Sequence, residues 1–339
     1  MCLGHIMVLN TESFKEEERD TLIKIGNLLS TPVPQVDKVS PTTFGYSTQG
    51  GRVLALGLYG RDLHSLPEAI GALSALQELH LGKNQLTRLP DDLRNLTVLR
   101  KLYVGNNQLE VLPQAVGELQ SLEILDAQTN HLCNLPAEIG RLGALKTCQL
   151  QQNELVDLPV EIGAMTSLET LNLQGNRLQA IPEEIGQLAN LRGLILTNNQ
   201  LLAVPEGIGG LRVLQKLELA RNYITTLPVA IGDLENLHQL DLSENQITSL
   251  PPSIMKLQAL TYFNLVGNMM ERVPPRYRQW VAQLKERGCR MQDALPLSAK
   301  QKRRRFEAIK FGVGAIRDPP IAAKKKKAVK KIAKKKKVN

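Results

Sequence analysis

A single 23-residue repeat runs through most of this 339-residue chain. It begins at Val53 and then every 23 residues from Leu76 to Leu260, ten copies in all, and the copy at 168–190 reads LETLNLQGNRLQAIPEEIGQLAN. The shared pattern is LxxLxLxxNxLxxLPxxIxxLxx, with proline at position fifteen in all ten copies and asparagine at position nine in nine. Self-similarity at a fixed period predicts a solenoid, in which a repeat buries its apolar face only by stacking on its neighbours.

The residue types at each position predict the local structure. The LxxLxL segment alternates as a short strand does, so in the first copy Leu56 and Leu58 should point inward, and Gly57 and Tyr59 outward. Stacked asparagines should form a ladder that satisfies buried backbone groups where each strand ends. Proline then stops the strand pairing, and the Ile and Leu that follow, three residues apart, suit a short helical or 3₁₀ turn.

These motifs resemble the leucine-rich repeat family over residues 53–280, and the LPxxIxxL ending resembles the 23-residue subclass of Ras-group scaffold proteins and of many microbial and archaeal proteins. The resemblance implies an α/β leucine-rich-repeat solenoid, a horseshoe with a parallel concave β-sheet, short helical or 3₁₀ convex turns and helical caps. We therefore expect an N-terminal cap at 1–52, ten repeats at 53–275, a C-terminal capping helix at 276–295 and a basic, disordered tail at 296–339.

Both ends of an open solenoid need covers. At the N-terminal end, Ser13 and Glu16 fit a capping box, and the apolar stripe of the predicted helix consists of Phe14, Leu22, Ile25, Leu28 and Leu29. The GYSTQGG stretch at 45–51 is interpreted as a turn before the first strand, and Arg61 replaces the ladder asparagine there. At the other end, the i, i+3, i+4, i+7 spacing of Tyr277, Trp280, Val281 and Leu284 predicts the capping helix.

Solvent-facing concave residues are predicted at positions three, five, seven and eight of each repeat. The middle repeats place amides and almost no charge there, whereas the end repeats place mixed charge and aromatic residues, Asn264 being among the last of these positions. A face of mixed sign is unsuited to a phosphate backbone, but aromatic residues beside amides suit a protein interface. The predicted partner-binding residues are Tyr59, His80, Tyr103, Ile124, Gln149, Ile195, Arg221 and Tyr262.

The tail concentrates positive charge. Residues 300–339 hold 17 basic and 2 acidic residues, whereas the other 299 hold 25 basic and 31 acidic residues. Contact with nucleic acid or a ribosome, contact with an anionic membrane, and a merely solvated tail all stay open. The candidate anionic-partner contacts are Arg303, Arg304, Arg305, Lys324, Lys325, Lys326, Lys327, Lys334, Lys335, Lys336 and Lys337.

No catalytic motif is found, so we expect no enzyme, no cofactor and no metal. His131 and Cys133 lie two residues apart but have no second ligand pair, and Cys148 stands where a core leucine is usual. Four cysteines without a CxxC pair suit a reducing compartment. We expect no transmembrane segment and a cytoplasmic protein, with a nuclear address in a eukaryote, because no apolar run is long enough to span a bilayer.

The pattern as a whole favours a monomeric, non-enzymatic scaffold that binds a protein on its concave face. The Ras-group resemblance implies a small GTPase or its regulator as the partner, by analogy alone. The alternative is a nucleic-acid- or ribosome-associated adaptor anchored by the lysine-rich tail.

Overall fold

The computed structural model describes residues 15–270 and 275–292, and in these ranges twelve strands form one sheet in chain order. β1 pairs antiparallel with β2, and every later pair is parallel. The strands are β1 Phe44–Gln49, β2 Arg52–Leu58, β3 Glu78–His80, β4 Lys101–Tyr103, β5 Ile124–Asp126, β6 Thr147–Gln149, β7 Thr170–Asn172, β8 Gly193–Ile195, β9 Lys216–Glu218, β10 Gln239–Asp241, β11 Tyr262–Asn264 and β12 Arg290–Gln292.

The return path of each of the first nine repeats is a five-residue 3₁₀ turn, which confirms the predicted convex element. A proline in extended conformation precedes each of these turns, from Pro67 to Pro251. The turns are Glu68–Ala72, Asp91–Asn95, Gln114–Glu118, Ala137–Arg141, Val160–Ala164, Glu183–Gln187, Glu206–Gly210, Val229–Asp233 and Pro252–Lys256. Between sheet and turns lies a continuous core of buried leucine and isoleucine, in which Leu56 and Leu58 point inward as predicted.

The asparagines of position nine form the predicted buried ladder. Asn153 is representative: its Nδ2 donates to the carbonyls of Ala127 and Leu150 at 3.0 Å, and its Oδ1 accepts the N–H of Leu132 at 3.1 Å. Ala127 and Leu132 belong to the preceding repeat, so each amide joins two repeats. In the first repeat, where Arg61 replaces asparagine, Asn84 of the second repeat accepts the N–H groups of Arg61 and Leu63.

Position eight lies in the left-handed region in all ten repeats, with φ between 52° and 79°. Three of the ten residues are glycine and two are asparagine, which accept this conformation easily, but a β-branched residue such as Thr129 is strained there. The row consists of Gly60, Lys83, Asn106, Thr129, Gln152, Gly175, Asn198, Arg221, Glu244 and Gly267. The repeat consensus did not reveal this constraint.

The N-terminal cap is a helix, α1, Glu16–Leu28, but its predicted start is wrong. Glu16 is its first residue and Lys15 its N-cap, without a side-chain capping bond, while Ser13 and Phe14 lie outside the described residues. Leu22 and Ile25 are buried as expected, whereas Leu28 is exposed because the helix turns that face away from the first repeat.

Two polar contacts that the apolar stripe did not predict dock α1. Glu18 is fully buried: one carboxylate oxygen accepts the Arg52 guanidinium and the other the N–H of Val53, at 2.9 Å. The Thr21 hydroxyl contacts the carbonyl of Ala69 at 2.9 Å. Together they join α1 to β2 and to the first 3₁₀ turn.

The stretch at 45–51, predicted as a turn, is a strand over most of its length, because β1 includes Phe44–Gln49 and only Gly50 and Gly51 make the turn into β2. The segment before β1 lies over Gly57: a Cβ at Gly57 would stand 2.4 Å from the carbonyl oxygen of Thr43. Gly57 is therefore buried, and its predicted solvent-facing position is wrong.

The C-terminal cap contains α2, Arg278–Glu286, preceded by a 3₁₀ turn Pro275–Tyr277. Tyr277, Trp280 and Leu284 are buried, and Trp280 packs edge-on against Phe263 at a ring-centroid distance of 5.6 Å. Tyr277 thus belongs to the turn that leads into the helix. After the helix, β12 continues the sheet by one strand that the sequence pattern did not predict.

Candidate interaction surface

The sheet side that faces away from the core is the concave face, and its side chains come from positions three, five, seven and eight. Register pairing places position five of successive repeats side by side, so His80, Tyr103 and Asp126 are neighbours on adjacent strands. Position three forms a second row, in which Glu78, Lys101 and Ile124 are neighbours. Together with the residues of positions seven and eight, these rows form the surface that the sequence predicted for partner binding.

The N-terminal part of this face holds a charged and aromatic cluster. The Glu78 carboxylate accepts Lys101 Nζ at 2.9 Å and lies 3.2 Å from His80 Nε2. The His80 ring stacks on Tyr103 with centroids 4.6 Å apart and an interplanar angle of 12°. Burial alone would raise the pKa of Glu78, but the hydrogen bonds from Lys101 and His80 lower it overall. The bond to Glu78 in turn raises the pKa of Lys101.

His80 does not face solvent as predicted, since only 1% of it is exposed. Its strand neighbours explain the burial: Tyr103 stacks on its ring, and Gly57 on the other side lies beneath the segment that precedes β1. Burial lowers the pKa of His80, an effect that Glu78 only partly offsets, and Nδ1 is buried without a hydrogen-bond partner. The neutral ring therefore has its Nε2–H toward Glu78 and a bare Nδ1 acceptor.

The middle of the concave face is a network of amides. Gln151 Nε2 donates to Gln128 Oε1 at 2.8 Å, and Gln128 Nε2 donates to Asp126 Oδ2 at 3.0 Å. Asn172 Nδ2 donates to Gln149 Oε1 at 3.1 Å. Ile124, Gln149 and Ile195 are all half-buried, so they present part of each side chain to solvent. This stretch is fixed by its own hydrogen bonds and carries Asp126 as its one charged residue.

The C-terminal part is again charged. Lys216 pairs with Glu218 at 2.8 Å and Arg221 with Glu244 at 3.3 Å, and both Arg221 and Glu244 are exposed. Burial raises the pKa of Tyr262, whose hydroxyl lies 3.3 Å from Asp241. Asn264, predicted to face solvent, is buried because Tyr262, Asp241 and the added strand β12 surround it.

Charge differs between the two sides of the repeats. Across the ten repeats the concave positions hold four basic and five acidic residues, so this face is nearly neutral. The nine 3₁₀ turns instead hold ten acidic and three basic residues, a balance of −7. Neither side offers the clustered cations that a phosphate backbone requires.

The other candidate residues are dispersed. Cys148 is fully buried, and burial raises the pKa of its thiol to about 12, so it is an unreactive part of the core. His131 and Cys133 are exposed, and His131 Nδ1 lies 3.1 Å from Glu154. Within 15–270 and 275–292, no group of three metal-ligating residues is arranged to hold an ion, and no helix is long and apolar enough to cross a bilayer. The tail contacts proposed at 303–305, 324–327 and 334–337 lie outside the described residues.

Comparison with family models decides the identity of the fold. A model of a leucine-rich repeat region matches residues 53–147 and 136–222, and a second leucine-rich repeat model matches 212–270. The chain is a leucine-rich repeat protein. No match is found among curated proteins.

Solved structures of bacterial and plant leucine-rich repeat proteins are similar to this chain. A leucine-rich repeat protein of Leptospira interrogans is 36% identical with a TM-score of 0.61, over 72% of this chain and 66% of that one. The plant peptide hormone receptor RGFR1, in complex with RGF2, is 31% identical with a TM-score of 0.63, over 73% of this chain and 42% of the receptor. The functional domain of InlJ from Listeria monocytogenes shares the fold. It is 22% identical with a TM-score of 0.57, over 69% of this chain and 47% of that one. The chain thus spans less than two thirds of each of these proteins.

Proposed function

We propose that this leucine-rich repeat protein is a non-enzymatic scaffold that binds a protein partner on its concave face. The observation that supports this most is the concave surface itself: half-buried Tyr59, Tyr103 and Tyr262 stand at its two ends, with Ile124 and Ile195 between them among fixed amides. Rigid aromatic and aliphatic anchors beside pre-ordered polar groups are what a protein interface requires, since little conformational entropy is lost on binding.

The finer parts of this proposal concern partner and place. The LPxxIxxL ending, which resembles Ras-group scaffold repeats, makes a small GTPase or its regulator the first partner class to test, and signalling the first role. We place the protein in a reducing compartment, the cytoplasm, because Cys133, Cys148 and Cys289 are unpaired thiols. We propose a monomer, since the acidic row of 3₁₀ turns would repel a second copy of itself.

A second candidate function rests on the tail. Residues 300–339 carry a balance of +15, enough to hold a nucleic acid or a ribosome by counterion release, whereas the repeats offer no cation cluster. In that case the tail anchors the protein and the repeats recruit a second component. Contact of the tail with an anionic membrane is the third interpretation.

Affinity capture separates these candidates. The full chain and a 1–298 truncation are used as bait in lysate, with and without nuclease, and the captured proteins are identified by mass spectrometry. If the concave face binds a protein, the same partners remain with the truncation and after nuclease treatment. Loss of all partners in either condition would assign binding to the tail and refute the concave-face proposal. A GTPase requirement is tested by adding GDP or a non-hydrolysable GTP analogue, because a switch protein would bind in one state only.

A further inference from the structure

We propose that the concave face between Tyr59 and Asp126 binds a cationic side chain of the protein partner, an arginine in preference to a lysine. This inference rests on the proposed function, because it names the chemistry of one anchor in the partner of that same face. The inference rests on three features of this region. They are a carboxylate without a basic partner, two tyrosine rings, and two glycines that leave part of the surface without side chains.

Asp126 is the carboxylate. Its Oδ1 accepts the Gln128 N–H at 3.1 Å and its Oδ2 accepts Gln128 Nε2 at 3.0 Å, so half of its roughly four acceptor sites are occupied. None of the ion pairs of the described residues involves Asp126. Lys101, on the neighbouring strand, is held 2.9 Å from Glu78. A half-buried carboxylate in a neutral amide region is therefore open to a donor that carries charge.

Asp241 shows what a saturated carboxylate on this face looks like. It occupies the same repeat position, five repeats later, and accepts the Ser243 N–H at 2.9 Å, the Ser243 hydroxyl at 2.6 Å, the Tyr262 hydroxyl at 3.3 Å and Asn264 Nδ2 at 3.3 Å. Four donors from the protein itself fill its acceptor sites. The contrast makes Asp241 a matched control for Asp126.

The tyrosines supply the aromatic faces. His80 stacks on one face of the Tyr103 ring, which leaves the opposite face toward the next strand, where Asp126 stands in register. Tyr59 lies along Gly82, whose Cβ, if it had one, would be 3.2 Å from Tyr59 Cδ2. A planar guanidinium stacks on tyrosine and donates two parallel bonds to a carboxylate, whereas an ammonium offers only a point charge.

The glycines leave position seven without a side chain in the two repeats that separate Tyr59 from Asp126. Position seven is glycine in two consecutive repeats, Gly82 and Gly105, and a Cβ at Gly105 would stand 3.1 Å from Asp126 Oδ1 and 3.0 Å from Gln128 Cγ. Any larger residue would cover Asp126 or displace Gln128.

The test uses the full chain and three blocked pentapeptides, Gly-Gly-X-Gly-Gly, in which X is arginine, lysine or citrulline. Citrulline keeps the shape of arginine without its charge. Binding is followed by ¹H–¹⁵N NMR at the amides of Tyr103, Gly105 and Asp126. We expect saturable shifts with arginine at millimolar concentration, weaker binding of lysine, and binding of citrulline at least about tenfold weaker, the loss of one charge-assisted contact.

Matched variants locate the contact. Asp126→Asn should lower the affinity for the arginine peptide about tenfold, while Asp241→Asn should change this affinity by less than about twofold. Tyr59→Leu, at a half-buried position, should lower the affinity for the arginine peptide about threefold. This variant keeps the test possible if Asp126→Asn does not fold. The cation site is wrong if the citrulline peptide binds as tightly as the arginine peptide. It is also wrong if Asp126→Asn leaves the affinity for the arginine peptide unchanged, or if Asp241→Asn lowers that affinity as much as Asp126→Asn does. If partners are still captured through the concave face in that event, the proposed function stands and only this inference fails.

Discussion

At the scale of single residues, the asparagine ladder is the most demanding feature. Each amide occupies a buried point where three backbone groups meet, and no other side chain has both the donor pair and the acceptor in so short a length. A change there leaves backbone groups without partners inside the core, which costs more than the lost bonds themselves would suggest.

Asn153→Ala should lower the free energy of unfolding by about 2–4 kcal/mol, because the N–H of Leu132 and the carbonyls of Ala127 and Leu150 lose their buried partner. Urea unfolding followed by circular dichroism measures the change. Asn134→Ala, at an exposed position, is the control and should alter stability by less than about 0.5 kcal/mol. Equal effects of the two substitutions would mean that the ladder is not stabilising.

His80 makes stability depend on pH. Its pKa is lowered by burial in the folded state, so the unfolded chain takes up the proton first as pH falls below about 6.5. The free energy of unfolding should therefore decrease between pH 7.5 and 5.5, and this slope should be smaller in His80→Phe, which keeps a ring against Tyr103. His64→Gln, at an exposed position, serves as the control for replacing a histidine. An unchanged slope in His80→Phe would contradict the burial of a neutral imidazole.

The sequence predicted which residues point inward, but it overestimated exposure on the concave face. Alternation correctly assigned Leu56 and Leu58 to the core. The predicted exposure of His80 and Asn264 is wrong because it depends on elements outside the repeat. These elements are the segment before β1 for His80 and the added strand β12 for Asn264. Asp126 has no distinguishing signal in the sequence, because a lone carboxylate becomes informative only when its structural neighbours are known.

At the scale of elements, neighbouring 3₁₀ turns approach each other closely where the fourth residue of a turn is glycine, as it is in seven of the nine turns; Arg94 and Met255 stand there in the other two. A Cβ at Gly140 would stand 2.4 Å from the carbonyl oxygen of Glu161 and 2.9 Å from its Cβ, whereas a Cβ at Gly143 in the same repeat meets nothing within 4 Å. Backbone cannot move aside as a flexible side chain does, so this spacing is set by the turns themselves.

Gly140→Ala should therefore lower the free energy of unfolding by about 1–3 kcal/mol through overpacking. Gly143→Ala, three residues away, should leave it unchanged or raise it by up to about 1 kcal/mol, because alanine restricts the unfolded chain. Thermal unfolding of the two variants side by side gives the comparison. If Gly140→Ala is as stable as Gly143→Ala, the turns are not in the close contact described.

The N-terminal helix depends on one buried carboxylate. Glu18→Ala removes the acceptor of Arg52 and of the Val53 N–H, and should increase hydrogen exchange in β2 and reduce stability by about 1–3 kcal/mol. Glu17→Ala, exposed in the same helical turn, is the matched control and should leave exchange in β2 unchanged. The apolar stripe predicted that a helix would lie here, but a buried Glu–Arg pair has no signature in one sequence, and so its docking could not be foreseen.

At the scale of the whole molecule, the periodic part of the solenoid was predictable and the aperiodic parts were not. Ten repeats, their strands and their 3₁₀ turns follow from one pattern because each repeat meets only its neighbours. β1 and β12 arise where that pattern stops, and their pairing is set by the sheet edges that they cover. The division of charge, an acidic row of turns and a neutral concave face, also becomes visible only once positions are sorted by side.

Two charged double variants, used as bait in the same lysate, show whether the concave face binds a protein. Tyr103→Glu with Ile195→Glu changes the concave face, and Val160→Glu with Val229→Glu changes exposed apolar residues of the 3₁₀ turns. Circular dichroism and thermal midpoints first establish that both are folded. The amount of partner protein captured by the concave variant should fall at least about tenfold, while the other variant should capture as much as the original chain. If the folded concave variant retains its partners, or if the variant of the turns loses them instead, the concave face is not the binding surface.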